Sequence, residues 1–436
     1  MSGDSKQEAS SSDKMDRRKF IGAAAATAGV MFIKPSLVRG TAANSAVRVG
    51  LLGCGGRGTE DATNLVETGG ARVLALADLF QDQLDVARAE FNKIQQAKGY
   101  TALDASQLFV GPNAYQQIAA SKELDAIVIA TPPFYHPRHL EAIVAAGKHV
   151  YLEKPVAVDV PGALKVIEIG KRAEGKLSLD VGFQIRDCPP FVEMVRRIHA
   201  GALGKIVCGE AHYLSGYIDR PAWPNASPVE HRLRNWVYDR VLSGDIIVEQ
   251  NIHAIDICNW MLQGHPVKAV GRGGRQGRNR PGDTCYSHFD VVFEYPKDVH
   301  VSFSSTQFGK GQFDVNELFY GTRGSSQSPY AGPLGVWGEE QWIWGGGEKK
   351  AEQSGQFSAS GSFSDNLADA DSEKQKAFIH SITSRQFHNQ AAAGVESAMT
   401  AMLGRQAAYT GRELTWDELQ RSTEHWDAGI DLNNLA

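Results

Sequence analysis

A lysine flanked by an acidic residue and a proline lies downstream of a glycine-rich turn, and the spacing suggests that both serve one site. The turn Gly53–Gly58 has the spacing G-x-G-x-x-G and follows an apolar run at 47–52. Such a turn holds a dinucleotide pyrophosphate on backbone N–H groups at a helix N-terminus. In Glu153-Lys154-Pro155 the proline cannot continue a β-ladder, so a strand must end there and expose Lys154. Because ligands bind beyond the carboxyl ends of strands in open α/β sheets, Lys154 is predicted to meet a nicotinamide ring.

An acidic residue at the end of the second apolar run indicates which nucleotide to expect. Asp78 lies 20 residues after Gly58, where a carboxylate can accept both ribose hydroxyls of NAD and would repel a 2′-phosphate. The expected cofactor is therefore NAD, bound by Gly53, Gly55, Gly56, Arg57, Gly58 and Asp78. Arg57 leaves NADP open, since its guanidinium could pair with a phosphate. A nicotinamide cofactor beside a lysine predicts an enzyme that transfers hydride.

The elements that must position these residues alternate between strand and helix signals. Strands are predicted at 47–53, 71–77, 124–130 and 148–152, and helices at 57–68, 81–98 and 134–146. This alternation predicts a parallel sheet covered on both faces, in a dinucleotide-binding domain that spans residues 46–165.

The second half of the chain has a different pattern. Strands at 287–294, 299–308 and 313–320 follow one another without helices between them, which predicts an antiparallel sheet. The Gly- and Ser-rich stretch 325–364 lacks periodicity and is expected to be a long surface excursion. Amphipathic helices at 373–384 and 394–409 close the chain. The fold class is therefore α/β, with a second, substrate-binding domain over 166–436.

The N-terminal segment has the features of an export signal. Twin arginines, Arg17 and Arg18, precede a small apolar run at 22–33, which is followed by Lys34-Pro35. This order is typical of a Tat signal peptide, and the run is too short to anchor the chain in a bilayer. Residues 1–45 are thus expected to be signal and linker, and the protein to be exported to the periplasm or another extracytoplasmic space.

Composition narrows the classes of partner. Charged residues make up 22% of the 436 residues and the net charge is −5, so there is no electrostatic case for nucleic acid. No other apolar run approaches the roughly 20 residues of a membrane span, so no membrane-embedded body is expected. The five cysteines form no C-x-x-C pair, and no metal site is predicted.

Four motifs together resemble the Gfo/Idh/MocA family, the glucose–fructose oxidoreductase and inositol dehydrogenase group. They are the turn Gly53–Gly58, Asp78, Thr131-Pro132-Pro133 with His136, and Glu153-Lys154-Pro155, and the similarity covers roughly residues 47–324. The resemblance implies a Rossmann domain followed by an α/β domain with an open sheet that often builds the oligomer. It adds Thr131, Pro132, His136, Glu153 and Lys154 to the cofactor site. It also implies NAD(P)-linked chemistry on a sugar or polyol hydroxyl, and a homo-oligomer, a dimer or tetramer, formed through the C-terminal sheet.

A second motif of that family reads approximately D-x-G-x-H-x-x-D. Residues 249–256 occupy the matching stretch, in which His253 and Asp256 fit, Glu249 stands for the usual Asp, and Asn251 for the usual Gly. A histidine near its ordinary pKa suits proton removal at neutral pH, and an ammonium stabilises a developing alkoxide. We therefore expect His253 to be the general base and Lys154 to orient the hydroxyl, with these roles open to being shared. Asp256 and Glu249 complete the expected catalytic set.

Aromatic and polar residues elsewhere are candidates for substrate contacts. Tyr213, Arg234 and Trp236 lie in a stretch suited to stacking on sugar faces, and Gln184 and Arg186 follow a predicted strand. The leading interpretation is an exported NAD(P)-dependent sugar or polyol dehydrogenase that holds its cofactor tightly and recycles it.

Two other functions stay open at this stage. Relatives such as the NAD-dependent α-N-acetylgalactosaminidases hydrolyse glycosides through transient oxidation, and this would need a further acid–base pair. The chain offers several candidates for it: Glu153, Glu249, His212, Tyr213 and His231. A non-catalytic sugar-binding protein is the third hypothesis, against which the presence of Lys154 and His253 counts.

Overall fold

The computed structural model describes residues 46–221, 223–278, 280–309, 311, 313–345, 356–358 and 361–434. The predicted export signal at residues 1–45 lies outside the described residues. Within the described part of the chain, no helix is both long enough and apolar enough to cross a membrane.

Six parallel strands form the first sheet, in the spatial order β3-β2-β1-β4-β5-β6. They are β1 Val47–Leu52, β2 Ala71–Asp78, β3 Leu108–Val110, β4 Ala126–Ile129, β5 His149–Leu152 and β6 Leu179–Val181. The strand β4 is buried along its whole length, as its continuous apolar sequence predicts for a sheet covered on both faces. The strand order reverses between β1 and β4, and the carboxyl ends of these two strands border the crevice where such folds bind ligands.

Helices cover both faces of this sheet and connect its strands. They are α1 Gly56–Glu67, α2 Gln81–Ala97, α3 Ala114–Ala120, α4 His136–Ala145 and α5 Val160–Ala173. The expected domain boundary after residue 165 lies inside α5, and the parallel sheet continues to Val181 at the end of β6. The stretch before residue 111, where the sequence predicts no strand, contains the short edge strand β3, which pairs with β2. Three residues at a sheet edge are too few to give a periodic signal.

Nine strands form the second sheet, in the order β14-β13-β12-β11-β7-β10-β9-β8-β17. They are β7 Ile206–Ser215, β8 Lys268–Gly274, β9 His288–Tyr295, β10 Val299–Gln307, β11 Asp314–Gly321, β12 Gly324–Gln327, β13 Gly335–Gly338, β14 Trp342–Ile343 and β17 Leu414–Thr415. Their pairing is antiparallel except between β7 and β10. The α/β class with a mainly antiparallel second sheet is thus confirmed. A separate hairpin joins β15 Gln356–Ser358 to β16 Gly361–Phe363.

One face of the second sheet carries the core and the other is open. Along β9, Phe289, Val291 and Phe293 are buried whereas Asp290 and Val292 are exposed. The remaining helices are α6 Pro189–His199, α7 Pro228–Arg234, α8 Arg240–Ser243, α9 Ile246–Glu249, α10 Ile252–Leu262, α11 Ala370–Ser384, α12 Ala391–Thr410 and α13 Trp416–Gln420. The long helix α12 packs against β8, β9 and α5, so it joins the second sheet to the first domain.

The surface excursion expected over residues 325–364 is wrong in part. The strands β12, β13 and β14 extend the second sheet through this stretch, and Ser326 and Val336 pair with each other and are both buried. Gly and Ser have low strand propensity, so the sequence gives little indication of a strand here, and pairing with β11 stabilises β12.

Candidate active site

The glycine turn between β1 and α1 brings three pieces of backbone together. Gly53 has φ +96°, and a Cβ there would lie 2.6 Å from the Ala130 carbonyl carbon at the end of β4. A Cβ on Gly58 would lie 2.2 Å from the Gly53 carbonyl oxygen. These two glycines therefore allow α1 and β4 to approach the turn. At Gly55, by contrast, a Cβ would meet no atom within 4 Å.

A groove runs from this turn along the carboxyl edge of the first sheet. It is lined by Gly53, Gly55, Asp78, Thr131 and Pro132 among others. The N-terminus of α1 has no side-chain cap, so its backbone N–H groups are available to an anion. The open space at Gly55 thus lies where a pyrophosphate would accept these hydrogen bonds, and the turn fits a dinucleotide.

Asp78 is fixed at the end of β2 by the backbone. The N–H groups of Cys54 and Phe80 donate to its two carboxylate oxygens, at 2.7 and 2.9 Å. Burial raises the pKa of Asp78, and these two hydrogen bonds oppose that shift. Each oxygen retains a further lone pair for a hydroxyl donor, as binding of a ribose requires.

Arg57 does not point to a phosphate. Its guanidinium forms ion pairs with Asp61 and Asp371, at 2.7 Å each, and with Glu153, at 3.0 Å. It lines a second cavity next to the groove. The case for NADP from this residue therefore loses its support, because three carboxylates already neutralise the guanidinium. Gly56, exposed at the first position of α1, belongs to the same turn.

His136 has a positioning role. Its ring nitrogens lie 2.7 Å from the Thr131 carbonyl oxygen and 2.8 Å from that of Pro155. Burial lowers the pKa of His136 to about 4, so the ring is neutral and can donate to only one of the two carbonyls at a time. It ties the Thr131 turn to the segment that carries Lys154, and it is absent from the described residues that line the groove.

Lys154 reaches from the first domain to the second. Its Nζ donates to the Glu249 carbonyl oxygen at 2.8 Å and lies 3.4 Å from Glu249 Oε1. Glu249 ends α9, and the Lys154–Pro155 peptide bond is cis. The Lys154 ammonium, with three donor hydrogens, is therefore held in place at the boundary of the second cavity.

His253, in the first turn of α10, lines the same cavity. Its Nδ1 is buried and has no hydrogen-bond partner among the described residues, and its ring lies edge-on to Phe183. Burial, with the charges of Lys154 and Arg57, lowers the pKa of His253 well below its ordinary value. The expectation of a near-ordinary pKa is wrong in this respect. The imidazole is neutral at physiological pH and can accept a proton.

The second cavity collects most of the expected substrate residues. Gln184, Tyr213 and Trp236 line it together with Glu153, Lys154, Glu249 and His253. Burial raises the pKa of Tyr213, so its phenol is protonated and can donate. Trp236 and Thr131 border both the cavity and the groove. The groove and the cavity therefore meet at the carboxyl end of β4.

Three expected site residues lie elsewhere. Asp256 pairs with Arg186 at 2.8 Å and accepts from Ser397, and neither Asp256 nor Arg186 lines the cavity. Their placement supports a structural ion pair between α10 and the segment after β6, not catalysis or substrate binding. Arg234 lines the groove instead of the cavity, and it pairs with Asp82 and Glu230. Which side of a helix faces the site depends on tertiary packing, and the spacing of residues in the sequence does not determine it.

The cavity also contains residues that the sequence reasoning missed. Gln250 Nε2, Tyr330 OH and Arg220 Nε are buried without a hydrogen-bond partner among the described residues, as is Gln184 Oε1. Buried polar atoms are costly unless they are paired, so the wall is suited to a ligand with several hydroxyl groups. Only Gln250 had a signal, since it lies within the second motif. Tyr330 follows β12 in the stretch expected to be irregular.

Comparison with family models decides the relationship. A model described as an oxidoreductase family with an NAD-binding Rossmann fold matches residues 47–181, and the C-terminal domain model of the same family matches residues 191–327. The chain belongs to the Gfo/Idh/MocA family. Membership confirms the resemblance to this oxidoreductase family and its NAD-binding Rossmann fold.

Curated relatives of this Gfo/Idh/MocA protein include several inositol dehydrogenases. Inositol 2-dehydrogenase 4 of Saccharopolyspora erythraea is 30% identical over 241 residues, which are 55% of this chain and 60% of that protein. The inositol 2-dehydrogenase of Rhizobium meliloti is 26% identical over 294 residues, 66% of this chain and 78% of the relative. A glycosyl hydrolase family 109 protein of Streptomyces niveus is 28% identical over 173 residues, 39% of this chain and 33% of its own.

Solved structures show the same fold. The aldose–aldose oxidoreductase of Caulobacter crescentus, with bound glycerol, matches with a TM-score of 0.65 and 16% identity, over 85% of this chain and 99% of its own. A levoglucosan dehydrogenase, in complex with NADH and levoglucosan, matches with a TM-score of 0.64 and 18% identity over the same shares. At this level of identity, the likeness concerns the fold.

Proposed function

We propose that the protein is an exported NAD-dependent oxidoreductase that acts on a hydroxyl of a sugar, glycoside or polyol and retains its cofactor. The main support for this proposal is that the cavity with Lys154 and His253 adjoins the groove of the glycine turn. A neutral His253 and the ammonium of Lys154 line one cavity, and that cavity adjoins the groove of the glycine turn at Thr131 and Trp236. A carbinol carbon placed between them has a base on one side and a cofactor groove on the other.

The residues of the cavity have different roles toward the substrate hydroxyl. NAD, when bound, supplies a hydride acceptor. His253 is neutral and accepts the hydroxyl proton, which must leave as the carbon gives up hydride. Lys154 is held by the Glu249 carbonyl and keeps donor hydrogens for the substrate oxygen, where negative charge develops. Gln184, Gln250 and Tyr330 offer unpaired polar atoms to neighbouring hydroxyls.

Two features support a retained cofactor. Leu432, near the C-terminus, and Trp223, after β7, line the groove together with Gly53 and Gly55 of the glycine turn. Ala428 is buried against Tyr135 and Leu233, which fixes the C-terminal segment over the first domain. Free nicotinamide nucleotide is expected to be scarce outside the cytoplasm, so the twin-arginine segment agrees with a cofactor that is carried and recycled.

The redox glycosidase is less well supported by the placement of its candidate acids and bases. His212 pairs with Asp314 at 3.1 Å and borders the open face of the second sheet. His231, on α7, contacts Asn235 and does not line the cavity. Glu153 is committed to Arg57. Glu249 is left as the carboxylate for this task, and it already holds Lys154.

We also propose a homo-oligomer formed through the open face of the second sheet. Val270 and Val292 are exposed there, 42% and 38%, and line a shallow depression on neighbouring strands. Exposed apolar side chains grouped on one sheet face favour association. Sedimentation analysis is expected to show a dimer or tetramer, and a purely monomeric protein at micromolar concentration would contradict this.

The central experiment is product analysis by mass spectrometry, with mature protein purified without added cofactor and a panel of sugars, polyols and aryl glycosides. We expect keto-sugar or lactone products, with NADH formed or a second sugar reduced. Lys154→Ala and His253→Ala are each expected to lower turnover about a hundredfold or more while the fold is kept. Release of aglycone with no net change in bound NAD would establish the glycosidase instead, and a near-normal rate in either variant would remove that residue from the mechanism.

A further inference from the structure

Arg220 is a cation of the site that has no carboxylate partner among the residues that the structure describes. It lies between β7 and α7 and lines both the groove and the cavity. Its Nη2 donates to the Arg234 carbonyl oxygen at 2.6 Å, and its buried Nε has no hydrogen-bond partner among the described residues. Among the described residues, no Asp or Glu oxygen lies within ion-pair distance of the Arg220 guanidinium.

The other cations of the site are neutralised by the protein. Arg57 has three carboxylates and Lys154 has Glu249. Burial lowers the pKa of Arg220, and Tyr238 and the charge of Glu249 offset this shift in part, so the guanidinium stays protonated. A largely desolvated charge is costly when it is unpaired, so a partner anion from outside the protein would be favoured here.

We propose that Arg220 binds a carboxylate of the substrate, and that the natural substrate is therefore an acidic sugar of the uronate or aldonate class. The inference deepens the proposed function and rests on its assignment of the cavity to the substrate. A guanidinium presents paired N–H donors in the geometry of a carboxylate. The unpaired atoms of Gln184, Gln250 and Tyr330 on the same cavity wall suit the hydroxyls that such a sugar also carries.

The pyrophosphate of the cofactor is the other source of anionic oxygen near this groove. It has its own donors, because the uncapped N-terminus of α1 and the open space at Gly55 lie together. Arg220 lies with Trp236 and Thr131 at the junction of groove and cavity, which is the side of the groove that faces the reacting carbon. This position favours the substrate as the source.

The test measures binding separately from turnover. The NADH-loaded protein, which cannot oxidise a bound sugar, is titrated calorimetrically with glucuronate, galacturonate and mannuronate, each against its neutral hexose. The wild-type protein is expected to bind at least one uronate about tenfold or more tightly than the matched hexose. Arg220→Gln should abolish this preference by weakening uronate binding more than hexose or NADH binding, and Arg220→Lys should keep part of it. Arg196→Gln, on the exposed face of α6, is the matched control, and thermal unfolding verifies that each variant is folded.

Two results would overturn the inference. If the wild-type protein bound every uronate and its matched hexose with equal affinity, the proposal of an acidic sugar as substrate would be wrong. A parallel loss of NADH and of both sugars in Arg220→Gln would assign the guanidinium to the cofactor pyrophosphate. Failure of the proposed function would give a different result. A uronate preference that depends on Arg220, with no oxidation of any bound sugar, would support the role of Arg220 and contradict hydride transfer.

Discussion

The space in front of Gly55 makes a sharp prediction about the cofactor. Replacing Gly55 with Ala adds a methyl group that meets no protein atom within 4 Å, on a backbone with φ −75° that alanine adopts freely. Alanine lowers the conformational entropy of the unfolded chain relative to glycine, which stabilises the folded variant by about 0.4–1 kcal/mol. Alanine is also a poorer N-cap residue than glycine, which destabilises the variant by about 1 kcal/mol. The free energy of unfolding without nucleotide should therefore change by no more than about 1 kcal/mol.

The same methyl group should weaken the cofactor strongly. It would project into the place of the pyrophosphate, and an added methyl against a packed surface costs about 1–3 kcal/mol. The Kd for NADH should rise about 5- to 150-fold. The assay is a fluorescence titration of nucleotide-free protein with NADH, together with thermal unfolding of the same sample.

Gly58→Ala is the matched comparison, with the opposite balance of effects. Its Cβ would lie 2.2 Å from the Gly53 carbonyl oxygen and 2.9 Å from Ala130 Cβ, so the backbone must move. We expect it to lower stability by about 1–3 kcal/mol or more even without nucleotide. A Gly55→Ala protein that folds normally and binds NADH within about twofold of the wild-type Kd would refute the placement of the pyrophosphate at this turn.

Three further predictions concern other residues of the site. Asp78→Ala should relax the preference for NAD over NADP, measured as the ratio of the two kcat/KM values, and an unchanged ratio would mean that Asp78 does not bind the ribose. Asp256→Asn should lower stability by about 3 kcal/mol by leaving Arg186 unpaired, seen as a lower Tm with kcat little changed; a loss of kcat at unchanged Tm would return Asp256 to the catalytic set. Because the pKa of His253 is lowered, kcat/KM for oxidation should stay constant as the pH falls through 6.5 and decline only at lower pH, where the imidazole becomes protonated. A decline centred at 6.5 or above would contradict the neutral, buried base.

Local patterns were sufficient for the nucleotide-binding half of the site. The turn Gly53–Gly58, Asp78 and Lys154 each lie at or just beyond the carboxyl end of a strand of the parallel sheet, β1, β2 and β5. The geometry of a parallel sheet brings the carboxyl ends of its strands to one edge, so their order along the chain already places these residues together. The second motif likewise indicated His253.

Side-chain environment could not be obtained in this way. The position of Arg57 in the glycine turn is compatible with binding a phosphate, but its guanidinium pairs with Asp371, far along the chain. Asp256 has the motif spacing of a catalytic residue, but the side of α10 on which it lies meets Arg186 and Ser397. The partners in both cases come from distant segments, and no local periodicity encodes them.

The sequence by itself determined the α/β class, the nucleotide turn, the acidic residue predicted for the ribose and the exposed Lys154, because short-range chemistry and strand order fix them, and the resemblance to a family motif indicated His253. Only the tertiary structure decided which charges remain without a partner. Ion pairs, two of them with distant residues, commit Arg57, whereas Arg220 at the junction of groove and cavity has no carboxylate partner among the described residues. Burial makes His253 neutral. These properties depend on what surrounds each group in three dimensions, and the identity of the residue alone does not carry them.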